Sequence, residues 1–112
     1  MQHRAEARID LLALASNLSK LKTTSPVDLL AVVKADAYGH GLVEIGLAAE
    51  KSGADWLGVA LLEEAISLRA HGVRIPILAW LVPPGSDFDS AAKHDIDVAV
   101  ASLGTLKEIS QL

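Results

Sequence analysis

The chain has 112 residues, 51% of them apolar, no cysteine and a formal net charge of −4. This is an ordinary globular composition with material for one modest core, and it excludes disulfide staples and thiolate chemistry. The Lys and Arg residues are scattered, which leaves no footprint for nucleic-acid phosphates or an anionic membrane, and no apolar run nears the roughly 18–20 residues that span a bilayer.

The opening MQHRAEARIDLLALAS has charges on both sides of its first apolar residues, unlike a signal peptide, so the expectation is a cytosolic protein. Leu11, Leu14, Leu18 and Leu21 then recur at offsets of three, four and three, one stripe of a helix, with Asp10 placed to accept from its first free amides. A Ser-Pro turn signal precedes the short run Leu29 to Val33, β-branched at its end, which reads as a strand buried on both faces. From Leu42 to Lys51 helical spacing returns, and Gly53 is placed to stop it in a left-handed cap. The alternation repeats: WLGVA (56–60) as a strand, LEEAISLRAHG (62–72) as a helix with two glutamates in its first turn, and IPILAWL (75–81) as a strand. PPGSDF is a loop, read as a surface turn rather than a lid. Ala91, Ala92 and their neighbours form a short helix, DVAVA (97–101) a fourth buried strand, and Ser102 caps a last helix carrying Leu103, Leu106 and Ile109.

Four strand-helix units with short connections predict an α/β fold with a parallel sheet and right-handed crossovers, either open and doubly wound or part of a (β/α)8 barrel. A barrel takes about 250 residues, so in that case the chain supplies about half of one, a single partial domain over 1–112 with sheet edges left unpaired.

In both architectures ligands gather at the carboxyl ends of the strands, where AVVKADAYGHG (31–41) puts Lys34. An amine anchored there and partly desolvated is a better nucleophile or base; the alternative is a lysine that snorkels, its stem covering the strand end. Tyr38 can reach the same mouth, and Gly39 and Gly41 flank a helix start where backbone amides suit an anion, although a lone G-x-G more often just makes the turn. An amine beside an anion cradle suggests a phosphorylated aldehyde, pyridoxal 5'-phosphate (PLP), held as a Schiff base.

AVVKADAYGHG resembles, nearly residue for residue, the PLP-lysine motif of alanine racemases, and EARIDLLALASNL, GADWLGVALLEEAISLRAHGV and PILAWLVPPG are similar to the amino-terminal part of that family. The likeness covers essentially the whole chain and implies the barrel. It also implies that Lys34 carries PLP and acts as the base toward the α-proton on one face, that Tyr38 hydrogen-bonds the cofactor phosphate, and that Val32 and Trp80 line the cofactor cavity. For Trp80 the alternative is a plain core or rim tryptophan, and Asp36 and His40 are read as serving the turn. In the family the opposing base is a tyrosine from a carboxyl-terminal β domain across a homodimer, and an arginine beside the pyridine nitrogen comes from a later strand. The only tyrosine here is Tyr38. The resemblance therefore implies an isomerase that interconverts L- and D-alanine for peptidoglycan, with this segment by itself inactive. The alternatives are a non-catalytic PLP-binding or carrier module and a truncated structural product without a ligand.

The remaining polar residues are read structurally. His3, His40, His71 and His94 lack metal-ligand spacing, so no metal is expected. Glu63 and Glu64 suit a helix dipole rather than a paired-carboxylate site, and Ser16 and Ser19 have no partnered base.

Overall fold

The computed structural model describes residues 4–112, with His3 outside the described residues. Helix α1 (Leu11–Thr24) begins where Asp10 accepts the N–H groups of Leu12 and Ala13 at 3.0 Å, donors that any helix leaves free in its first turn. Its leucine stripe buries Leu18 and packs Leu14 against the core, whereas Leu21 stays exposed.

Four strands, β1 (Leu30–Val32), β2 (Trp56–Val59), β3 (Ile77–Ala79) and β4 (Ile96–Val98), are all parallel and lie in the order β1-β2-β3-β4. This order decides between the two architectures. A doubly wound sheet reverses at a switch point and places its first strand inside, whereas a barrel wall adds each strand on the same side of the last. The register aligns Val32, Gly58, Leu78 and Asp97 across the sheet. Pairing continues past the regular strands: Val33 N–H donates to Gly58 O at 2.9 Å and Leu81 N–H to Ala60 O at 2.8 Å, which is why the apolar runs are longer than the strands they feed. The fourth strand starts at buried Ile96, one residue before the expected DVAVA.

Helices α3 (Leu42–Lys51), α4 (Leu62–Ala70), α5 (Phe88–Lys93) and α6 (Leu103–Ser110) follow the four strands in turn. Ile45, Ala49, Ala65, Leu68, Phe88 and Ala91 join Val33, Leu57, Val59, Ile77, Ala79 and Ile96 in one apolar cluster. The expectation of strands buried on both faces is thereby corrected. The alternate residues Leu30, Val32, Trp56, Leu78, Trp80 and Asp97 are half-buried or exposed, because a barrel fills its inner face from the strands opposite and four strands have no opposite wall. The shape agrees: the radius of gyration is 15.9 Å, against about 13 Å for a compact domain of about this length.

Charged side chains staple the amino-terminal edge of the sheet. Asp55, just before β2, accepts the Leu29 N–H at 2.7 Å and Lys22 Nζ at 2.8 Å, tying α1 to the start of β1. The Lys22 hydrogen bond, helped by the Leu29 N–H, holds its carboxyl below the usual carboxylate range. Glu50 accepts the N–H groups of Arg74 and Ile75 at 2.6 and 2.9 Å. Arg69 of α4 spreads its guanidinium over four carbonyls, those of Val73, Ile75, His94 and Asp95, at 2.8–3.0 Å. Among the described residues no helix is long and apolar enough to cross a membrane, and no group of three His, Asp or Glu is placed to hold a metal ion.

Candidate active site

Backbone of the buried edge residue Val33, 1% exposed, leads directly into half-buried Lys34 at the carboxyl edge of the sheet. The chain then turns the unexpected way. In α2 (Lys34–Gly39), Ala35, Asp36, Ala37 and Tyr38 have φ of 54°, 57°, 51° and 54°, so this single turn is left-handed. Each such L-residue costs about 1–2 kcal/mol, so the path must be held from outside its own local preferences.

Several hydrogen bonds do this. Ala37 N–H donates to Val33 O at 2.9 Å and Gly41 N–H to Asp36 O at 3.0 Å. The Asp36 carboxylate accepts the Leu42 N–H at 2.8 Å, standing in for the side chain that Gly41 lacks at the start of α3. His40 Nδ1 lies 2.8 Å from the Ala37 carbonyl oxygen. Asp36 and His40 thus serve the turn. A further bond comes from the next unit of the fold, where Glu64 Oε2 accepts the Ala35 N–H at 2.7 Å and Oε1 accepts the Leu61 N–H at 2.8 Å.

The left-handed turn brings Tyr38 back to the lysine: Lys34 Nζ lies 4.7 Å from the ring centroid, a cation–π contact. Tyr38 is itself 69% exposed at the rim. Val32 is the last residue of β1, two before Lys34, and is 51% exposed. Trp80 lies just past β3, where its N–H donates to Val59 O at 3.2 Å. Its ring crosses Gly58: a Cβ there would meet Trp80 Cζ3 at 2.6 Å and collide with the Leu30 side chain. Leu30, and with it Val32 by the period of two, therefore shares the inner face with Trp80, and the missing side chain at Gly58 makes room for the indole. At the same edge a groove of ≈ 450 Å³ runs from Trp80 to Pro84 and along Ala99 to Thr105.

The structure thus brings Lys34 and Tyr38 into contact and sets Val32 and Trp80 on one face, on either side of Gly58. PPGSDF is a pinned turn: Gly85 N–H donates to both carboxylate oxygens of Glu108 at 3.1 Å, and Ser86 Oγ donates to Pro83 O at 2.7 Å. Asp87 then caps α5, and hydrogen bonds from Ser90 hold its carboxyl below the usual range. His71 and His94 each place Nδ1 2.8 Å from a carbonyl of their own helix end. Sequence reasoning missed Glu64. Its place as third residue of α4 signals the local bond to Leu61, but nothing local signals Ala35, 29 residues away.

A parallel barrel wall with a lysine two residues past its first strand, and a tyrosine folded back on the amine, defines a (β/α)8-type protein whose ligand end is the carboxyl edge. The chain belongs to the family of the alanine racemase N-terminal domain, whose sequence profile matches residues 9–112. It is 48% identical over 108 residues to an alanine racemase of Salinispora arenicola, covering 96% of this chain and 29% of that protein. The alanine racemase structure from D-cycloserine producing Streptomyces lavendulae superposes with a TM-score of 0.89 at 44% identity, over 92% of this chain and 27% of that one. The Bacillus anthracis alanine racemase, solved with bound L-Ala-P, gives a TM-score of 0.85 at 37% identity, over 93% and 28%. The chain thus spans less than a third of the length of these relatives.

Proposed function

We propose that residues 1–112 form a partial barrel domain that carries the cofactor lysine of a PLP-dependent alanine racemase, acting on L- and D-alanine. The observation that carries this reading is the placement of the Lys34 amine at the carboxyl edge, 4.7 Å from the ring centre of Tyr38. The donor set fits PLP: a primary amine for the aldehyde, a rim phenol for a phosphate oxygen, and apolar walls from Val32 and Trp80. When bound, PLP supplies an electron sink for negative charge at the substrate α-carbon.

The chain's own residues do the rest on one face. With the cofactor bound, Lys34 Nζ would hold it and, once free of it, would take or return the α-proton; Tyr38 Oη would donate to the phosphate; Val32 and Trp80 would offer apolar surface beside it. Racemisation needs a second base on the opposite face, and the chain's one tyrosine is already engaged. As the likeness to alanine racemases implies, the second base is a tyrosine from outside these residues, contributed across a cytoplasmic homodimer that supplies D-alanine to peptidoglycan, and on this reading the 112-residue chain alone does not racemise.

Incubation of the chain with PLP, borohydride reduction and peptide mapping tests this. The expected label is at Lys34, lost in Lys34→Ala, without alanine racemisation by the chain. Equal labelling of the exposed Lys93 and Lys107 would remove the basis for the reading.

A further inference from the structure

We propose that Glu64 is a positioning residue that sets the direction of the Lys34 amine. This inference rests on Lys34 being the cofactor lysine. The Lys34–Ala35 peptide is planar, so fixing its N–H fixes that plane; the Val33–Lys34 peptide is held through Val33 O, which accepts the Ala37 N–H at 2.9 Å, and with both flanking planes fixed the Lys34 Cα presents its side chain in one direction. The N–H is held at 2.7 Å by Glu64 Oε2. The four residues that follow are left-handed and none is glycine, so the chain has little local preference for this path.

The anchor is firm where the turn is not. Glu64 stands in the first turn of α4, whose Leu62, Ala65 and Leu68 are buried in the core, at 8%, 0% and 0% exposure. Its other oxygen is engaged by the Leu61 N–H at 2.8 Å, which fixes the carboxylate in place. The positive end of the α4 dipole favours the charge. Two-oxygen acceptance is the property that matters, because a charged acceptor makes the stronger bond and a glutamine offers only one acceptor oxygen. Glu64→Gln can keep the local bond to Leu61 while giving up the one to Ala35. Neighbouring Glu63 is exposed and makes neither bond.

The test compares the 112-residue chain with Glu64→Gln, Glu63→Gln and Arg69→Lys, each incubated with PLP and reduced with borohydride. The readout is the ratio of label at Lys34 to label at exposed Lys107, together with the circular dichroism induced in the bound cofactor. Glu64→Gln should lower the ratio by roughly tenfold, the loss of one hydrogen bond to a charged group, and weaken the induced signal. Glu63→Gln and Arg69→Lys should leave both unchanged, the latter although it loosens the fold. An undiminished ratio and signal in Glu64→Gln overturns the role of Glu64 while leaving Lys34 as the cofactor lysine. Absence of label at Lys34 in the unsubstituted chain overturns the reading of Lys34 itself, and the role of Glu64 with it. Hydrogen exchange in the unsubstituted chain gives an answer independent of how any variant folds. A slowly exchanging Ala35 amide supports the proposal, and exchange at the rate of an open peptide overturns it.

Discussion

Asp55 shows how one side chain joins elements that lie far apart in sequence. Its carboxylate takes Lys22 from α1 and the Leu29 N–H from the approach to β1, and both favour the ionised form. A carboxyl whose folded pKa lies below its unfolded value of about 3.9 stabilises the fold above that value. The contribution is lost as pH falls through the folded pKa. Thermal unfolding followed from pH 6 to pH 2 should therefore show a midpoint that drops below about pH 4, and the drop should be shallower in Asp55→Asn. An acid limb of the same depth in both proteins would contradict this. The residue types legible in the sequence were those acting on their own neighbourhood, such as Asp10 and Ser102 at helix starts. Asp55, Glu50, Glu64 and Arg69 act across 20 residues or more on at least one partner, and no local pattern announces that.

At the scale of the element, the left-handed turn α2 is the departure from expectation. Gly39 and Gly41, with φ of 85° and 100°, advertise positive backbone angles, but Ala35 to Tyr38 do not, since alanine is the best of right-handed helix formers. The turn exists because Glu64, Asp36 and the Val33 carbonyl hold it. Its handedness has a sign test. In a right-handed helix Ala35→Gly would cost about 1 kcal/mol. In the observed turn it relieves a strain of about 1–2 kcal/mol against an entropy loss of about 0.5–1 kcal/mol. The melting temperature of Ala35→Gly should equal or exceed that of the parent chain. A clear drop would mean that the turn is right-handed in solution.

For the whole molecule, the one-sided burial of the sheet governs behaviour. The helix-facing residues Leu57, Val59, Ile77 and Ala79 are at most 1% exposed, while Val32 at 51% and Leu81 at 62% mark the open side and rim. Among the described residues β1 and β4 each have a single neighbour in the sheet, which leaves strand edges that can pair with another chain. The 112-residue chain should therefore associate in a concentration-dependent way in sedimentation experiments and bind an apolar dye such as ANS. A monomer that binds no dye across the concentration range would show that the inner face closes on itself.

The amino-acid order alone determined the alternation of strands and helices, their caps, and the lysine at the end of the first strand. Each of these follows from periodicity and from hydrogen bonds spanning a few residues. Tertiary structure decided the rest: the strand order that makes the sheet a barrel wall, the one-sided core, the left-handed path after Lys34 and the partner that holds it. Those outcomes depend on which groups meet across the sheet and between successive units. Pairing energies between segments distant in sequence set them, and a local preference, even the strong one of alanine for right-handed helix, yields when enough such bonds oppose it.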